Sequence, residues 1–226
     1  MPGFVRAGEA PASTRPAAAI IKIACVGDSI TFGATLKDRE HESYPAQLQR
    51  MLGERYQVGN LGYSGATLLK KGNRPYWDSR RFAAALEFAP DIVVIKLGTN
   101  DSKPDNWKHK DEFHNDLIDL VKRFQALPCH PTVWLCHPVP AFPGNYGIRD
   151  EVIREEIIPI IDAVAKEQNL KVIDLYAALS GKKDLFPDTI HPNAEGARLI
   201  AREVCRSLTG KADAATATTT SAPVSD

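Results

Sequence analysis

Ile20-Ile21-Lys22-Ile23-Ala24-Cys25-Val26-Gly27-Asp28-Ser29-Ile30 is the stretch on which the fold turns. A run rich in β-branched residues that stops at a glycine reads as a buried strand. Ser29, with Gly33 shortly after, reads as the turn from that strand into a helix. A serine in such a turn is a candidate nucleophile. Asp and Ser are also favoured N-cap residues, and taken alone the stretch fits a cap better than a catalytic serine.

Outward from it, strand-like runs alternate with helix-like segments. Leu48, Met51 and Leu52, at i, i+3, i+4 spacing, predict a helix over residues 44–55, and residues 56–61 read as a second strand. A loop holding Gly62, Gly65, Gly72 and Pro75 leads to a helix over residues 79–88, which Pro90 stops. Asp91-Ile92-Val93-Val94-Ile95-Lys96-Leu97 is the strongest strand, and it ends in Gly98-Thr99-Asn100-Asp101. Phe113, Leu117, Leu120, Val121 and Phe124 form one apolar stripe of a helix over residues 111–126. Then come a strand over 132–137, a Pro/Gly-rich loop over 138–147, and a helix over 150–168. Pro159 should disturb that helix, since it lacks an N–H and its ring clashes in a regular helix interior. A fifth strand over 170–175 and a last helix over 193–208 complete the pattern.

This alternation predicts an α/β fold, a three-layer α/β/α sandwich around a flavodoxin-like, five-stranded parallel sheet. Ligands of such sheets bind beyond the carboxyl ends of the strands, where Ser29, Gly62, Asn100 and the loop after His137 all fall.

The chain's 226 residues suit one domain, expected over residues 20–210, between an Ala/Pro-rich leader (1–19) and a low-complexity Ala/Thr/Ser tail (211–226). Lys plus Arg number 28 and Asp plus Glu 28, so nothing favours nucleic acid or an anionic membrane as partner. No apolar run approaches the ~20 residues of a membrane span, and the N-terminus lacks a secretory apolar region. The expectation is a soluble protein, cytoplasmic as read, secreted or periplasmic if a signal has been trimmed. Oligomeric state is not readable. Cys25, Cys129, Cys136 and Cys205 are widely spaced, without a C-x-x-C pair, and read as structural rather than as zinc ligands.

Hydrolysis by a serine needs a base, a group to orient the base, and donors for the oxyanion. His191 is a candidate base. Asp188, three residues earlier on a stretch bounded by Pro187 and Pro192, is placed to fix its tautomer. Backbone N–H groups near Ser29 and Gly62 and the Asn100 amide are candidate donors. Singly, each has a plainer reading: a turn for Asp188, an exposed loop residue for His191, a strand-end turn for Asn100. Jointly, complementary groups at the ends of different strands favour a site.

The motifs Gly27-Asp28-Ser29-Ile30, Asn60-Leu61-Gly62-Tyr63-Ser64-Gly65, Gly98-Thr99-Asn100-Asp101 and Asp188-Thr189-Ile190-His191 resemble, in order, the four blocks of the SGNH hydrolases, or GDSL esterase/lipase family. Ile30 stands where the family name carries Leu. The resemblance spans residues 22–204 and implies Ser29 as nucleophile, Ser29, Gly62 and Asn100 as the oxyanion hole, and His191 as base oriented by Asp188. It implies no metal and no organic cofactor. The wording around Pro138-Val139-Pro140, Gly147-Ile148-Arg149-Asp150 and Phe186-Pro187-Asp188 is similar to members described as sialate O-acetylesterase or acetylxylan esterase-like.

The substrate expected is therefore a small-molecule or polysaccharide acetyl ester. Tyr63, Trp77, Phe142 and Tyr146 are candidate sugar-binding aromatics, and Arg149 is a candidate for a substrate carboxylate. These aromatics equally fit packing within their own loops. His137 reads as a satisfied loop histidine. The alternatives are a lysophospholipase or thioesterase on the same triad, and a non-catalytic glycan-binding module on a flavodoxin-like sheet.

Overall fold

The computed structural model describes residues 19–144 and 146–210, so the expected leader, save its last residue, and the tail lie outside the described residues. In chain order the elements are β1 (Ile21–Gly27), α1 (Ser29–Phe32), α2 (Arg39–Glu42), α3 (Tyr44–Leu52), β2 (Tyr56–Gly62), α4 (Arg80–Glu87) and β3 (Ile92–Lys96). Next come α5 (Pro104–Trp107), α6 (Phe113–Gln125), β4 (Thr132–Cys136), α7 (Asp150–Val152), α8 (Ile158–Glu167), β5 (Lys171–Ile173), α9 (Leu175–Leu179) and α10 (Ala194–Thr209). The five strands form one parallel sheet in the order β2-β1-β3-β4-β5. Strand order reverses beside β1, which pairs with β2 on one side and β3 on the other. That reversal opens a crevice at the strand ends, and Ser29 stands in it.

The strand runs are continuously apolar because both faces are covered. Ala24 and Val26 face one core with Ala85 of α4, Phe113, Leu117 and Phe124 of α6, and Ile161 and Val164 of α8. Ile23 and Cys25 face the other, with Tyr44 and Leu48 of α3 and Ala197, Ile200, Ala201 and Val204 of α10. Each fully buried Val, Leu or Ile contributes about 1.5–3 kcal/mol, so these stripes clamp the layers onto the sheet. Asn193 caps α10, its Oδ1 accepting the Gly196 N–H at 2.9 Å, which fixes where the chain leaves the loop carrying His191.

The helix expected over residues 150–168 is interrupted just before Pro159, as that residue predicts. The chain runs from α7 through a π turn at Ile153–Ile157 into α8, with Pro159 in the first turn of α8. In a regular helix its ring would meet the carbonyl of Glu155, four residues back, and the wider π turn just before it relieves that clash.

All four cysteines are free. Burial pushes the Cys25 thiol up to about 12, the Tyr44 hydroxyl pulling it back only in part, and burial raises Cys136 as well. Both are inert core thiols. Among the described residues, no helix is long and apolar enough to cross a membrane.

Candidate active site

Gly27 ends β1, and Asp28 caps α1, its Oδ1 accepting the Ile30 N–H at 2.9 Å. Ser29 is thus the first residue of a four-residue helix, its N–H too early in the helix for an intrahelical partner. None of the described residues accepts that N–H. Asp28 is itself anchored by the ammonium of Lys96, 3.0 Å from both carboxylate oxygens and 3.2 Å from Thr99 Oγ1. Asp28 and Lys96 are fully buried, a charge pair directly beneath the serine turn.

Such a pair contributes little net stability but is costly to break. Lys96→Met should lower unfolding free energy by about 3–5 kcal/mol, because it strands a buried carboxylate. Urea titration of the variant measures this, and an unchanged midpoint would show that the pair does not hold the fold together.

From the far end of the chain, the loop before α10 brings Asp188 and His191 to Ser29. His191 Nε2 lies 2.8 Å from Ser29 Oγ, and His191 Nδ1 lies 2.7 Å from Asp188 Oδ2. A neutral imidazole donating from Nδ1 to the carboxylate leaves Nε2 to accept the serine hydroxyl. Asp188 Oδ1 accepts the N–H groups of Ile190 (3.0 Å) and His191 (2.7 Å). Partial burial opposes its charge, but the His191 N–H, the imidazole and the Ile190 N–H outweigh it and hold the carboxyl below the usual carboxylate range. The loop is pinned by the Phe142 N–H, which donates to Thr189 O at 2.9 Å.

Asn100 opens the turn after β3, and its Nδ2 donates to Ala66 O at 3.1 Å. One amide hydrogen is so used; the other has no acceptor among the described residues. Asp101 is fully buried and accepts the N–H groups of Leu68 (3.0 Å) and Leu69 (2.8 Å). Burial pushes its carboxyl up to about 7, with those N–H groups acting in the opposite direction. Asn100 and Asp101 together fasten the 66–69 segment to the end of β3.

Gly62 is placed differently from the expected oxyanion donor. Its N–H donates to Asn60 Oδ1 at 3.1 Å, and a Cβ there would stand 2.2 Å from the Phe32 nitrogen. Glycine is required at 62 so that the end of β2 can lie against the backbone of α1. Three residues on, Gly65 sits at φ +78° in a turn closed by the Ala66 N–H donating to Tyr63 O at 3.0 Å. The Gly65 N–H has no partner among the described residues, whereas the Tyr63 N–H is tied to Gly27 O at 2.9 Å. The turn therefore carries two N–H groups without a partner among the described residues, those of Ser64 and Gly65. Sequence carried the signal in Asn60, whose side chain two residues before Gly62 is placed to take the Gly62 N–H.

The candidate substrate residues part company. Trp77 donates its indole N–H to Leu68 O at 3.0 Å and packs edge-on against Phe82 under the Lys70 ammonium, so both its ring and its N–H are taken up within the protein. Phe142 packs on Phe186 at 5.1 Å. Arg149 is held by Ser102, whose carbonyl accepts its Nε–H at 2.6 Å. Only Tyr146 stands at the triad and open, 55% exposed and edge-on to the His191 ring at 5.9 Å. Tyr63 lies on the Gly65 turn with the Arg74 guanidinium over its ring at 4.5 Å. His137 is engaged on both nitrogens, by Asp174 at 3.0 Å and Asp162 at 2.8 Å. A cavity of about 280 Å³ borders Asp188, between Leu36, Glu42 and Asn193. Among the described residues no group of three or more His, Cys, Asp or Glu is arranged to hold a metal ion.

The chain is 42% identical over 206 residues to an acetylxylan esterase of Xylanibacter ruminicola, covering 83% of this chain and 43% of that protein. It spans less than half the length of the curated relatives it matches. Among solved structures, the lipase/acylhydrolase of Enterococcus faecalis superimposes with a TM-score of 0.69 at 27% identity, covering 84% of this chain and 96% of that one. A carbohydrate acetylesterase of Sinorhizobium meliloti shares the fold, with a TM-score of 0.65 at 23% identity over 84% of this chain and 99% of that one. The model of the GDSL-like lipase/acylhydrolase family matches residues 25–199, which include Ser29, Asn100, Asp188 and His191, and the chain belongs to that family.

Proposed function

We propose that the protein is a serine esterase that removes acetyl groups from carbohydrates. The observation that carries the reading is the imidazole of His191 bridging Ser29 Oγ and Asp188 at 2.8 and 2.7 Å. The acetylxylan esterase relative supports the acetyl group and the sugar.

In the reaction, Ser29 Oγ attacks the acetyl carbonyl carbon as its proton passes to His191 Nε2. The carbonyl oxygen becomes an oxyanion facing the N–H groups of Ser29 and Gly65 and the free hydrogen of Asn100 Nδ2. Asp188 holds the imidazole and stabilises its charge. Collapse breaks the bond to the sugar oxygen, which leaves with the proton from Nε2, and acetyl-Ser29 remains. Water, deprotonated by the same nitrogen, then releases acetate and restores the serine.

Acetate release from acetylated xylan, acetylated sialic acid and simple sugar acetates tests the reading. Rates on p-nitrophenyl esters from acetyl to octanoyl test the acyl group, and a preference for octanoyl would overturn the acetyl assignment. Asn100→Ala removes one oxyanion donor and should lower kcat by about 10²–10³ with a much smaller change in KM. A loss confined to KM would move Asn100 from transition-state to ground-state binding.

A further inference from the structure

We infer that Arg74 determines specificity by binding a carboxylate on the acetylated sugar, so that acetyl esters of uronic-acid-type rings are favoured over neutral ones. This rests on the ester-hydrolase reading and names the substrate class within it.

Arg74 borders the site through the Gly65 turn. Its Cδ comes within 3.2 Å of where a Cβ on Gly65 would stand, and its guanidinium lies 4.5 Å from the centroid of Tyr63. A guanidinium stacked on a ring keeps its plane fixed while its N–H edges stay free for a bidentate acceptor.

No carboxylate pairs with Arg74 among the described residues, although its neighbours in the same loop are paired. Lys70 is bound to Asp119 and Asp116, and Lys71 to Glu112. The exposed guanidinium is left as an unmatched positive charge beside the oxyanion turn. Arg74 is also presented rigidly. Asn73 and Asn106 exchange hydrogen bonds at 2.8 and 3.2 Å, and Asn106 donates again to Asn100 O at 2.8 Å. The Thr67 N–H donates to Arg74 O at 3.0 Å. The turn that carries the Asn100 amide therefore also fixes the backbone of Arg74. Ordering a long cation without an internal acid costs entropy and gains little, which suits a group waiting for an anion from outside.

The test compares kcat/KM on acetylated methyl glucuronoside with that on acetylated methyl glucoside, in wild type, Arg74→Gln and Arg74→Lys. Wild type should prefer the acid about ten- to hundredfold, the span of a charge-assisted hydrogen bond. Arg74→Gln should bring the ratio close to one, through KM, and Arg74→Lys should restore part of it. An absent preference in wild type, or a ratio that survives Arg74→Gln, overturns the inference. If wild type hydrolyses neither sugar ester nor p-nitrophenyl acetate, the esterase reading itself fails. Calorimetry of glucuronate against glucose then decides Arg74 alone: glucuronate binding about tenfold tighter that Arg74→Gln abolishes supports the subsite, and equal binding refutes it.

Discussion

Ser29→Ala is expected to lower turnover about 10⁶-fold and to leave the fold in place. Without Oγ no covalent acetyl intermediate can form, and His191 and the oxyanion donors retain only what they do for a bound water. The fold should persist because the supports of the turn are not on the serine. Asp28 still caps α1, and Lys96 still neutralises Asp28. Steady-state rates on p-nitrophenyl acetate, together with the denaturation midpoint, measure both halves. Retained hydrolysis would remove Ser29 from the mechanism. Lost folding would make it a structural residue.

Asp188→Asn should lower turnover about 10⁴-fold. The amide can present its NH₂ to Nδ1, which favours the tautomer with the proton on Nε2, and that nitrogen can then no longer accept the serine proton. A near-normal rate would place Asp188 outside the mechanism. The pH dependence of stability gives a second readout, with a defined sign. The folded-state carboxyl lies below its ordinary value, burial being outweighed by the hydrogen bonds from His191 and Ile190. Its contribution to stability is therefore present above the ordinary carboxylate range and lost as pH falls through the lowered value. The stability difference between wild type and Asp188→Asn should shrink as pH is taken from 7 toward 3. A constant difference would show that the carboxylate gains nothing from folding.

What could be read from the chain was whatever short-range pattern decides. β1 and β3 were legible because apolar runs rich in β-branched residues that stop at a glycine leave few alternatives, and Ser79 and Asn193 mark the starts of α4 and α10 as side-chain caps. The grouping of Ser29, Asp188 and His191 was legible because each lies in a short motif at the end of a strand or before a helix. Less legible was anything set by a distant partner. Whether the Gly62 N–H is free depends on where the Asn60 side chain turns. Whether Trp77 faces solvent depends on Leu68 and Phe82. Pro159 marked a real interruption of the helix, but that the interruption takes the form of a π turn and not of a chain break could not be read from the residue type.

The buried pair of Asp28 and Lys96 also divides the site into two parts. Gly27 is in register with Lys96 of β3 on one side and with Gly62 of β2 on the other, so the serine arm belongs to the centre of the sheet. The arm with Asp188 and His191 belongs to the loop before α10, held by its turn hydrogen bonds and by the buried side chains of Phe186 and Ile190. Nucleophile and base are thus delivered by separate parts of the chain, one from the centre of the sheet and one from the loop before α10, and they meet only at the 2.8 Å contact between Ser29 and His191.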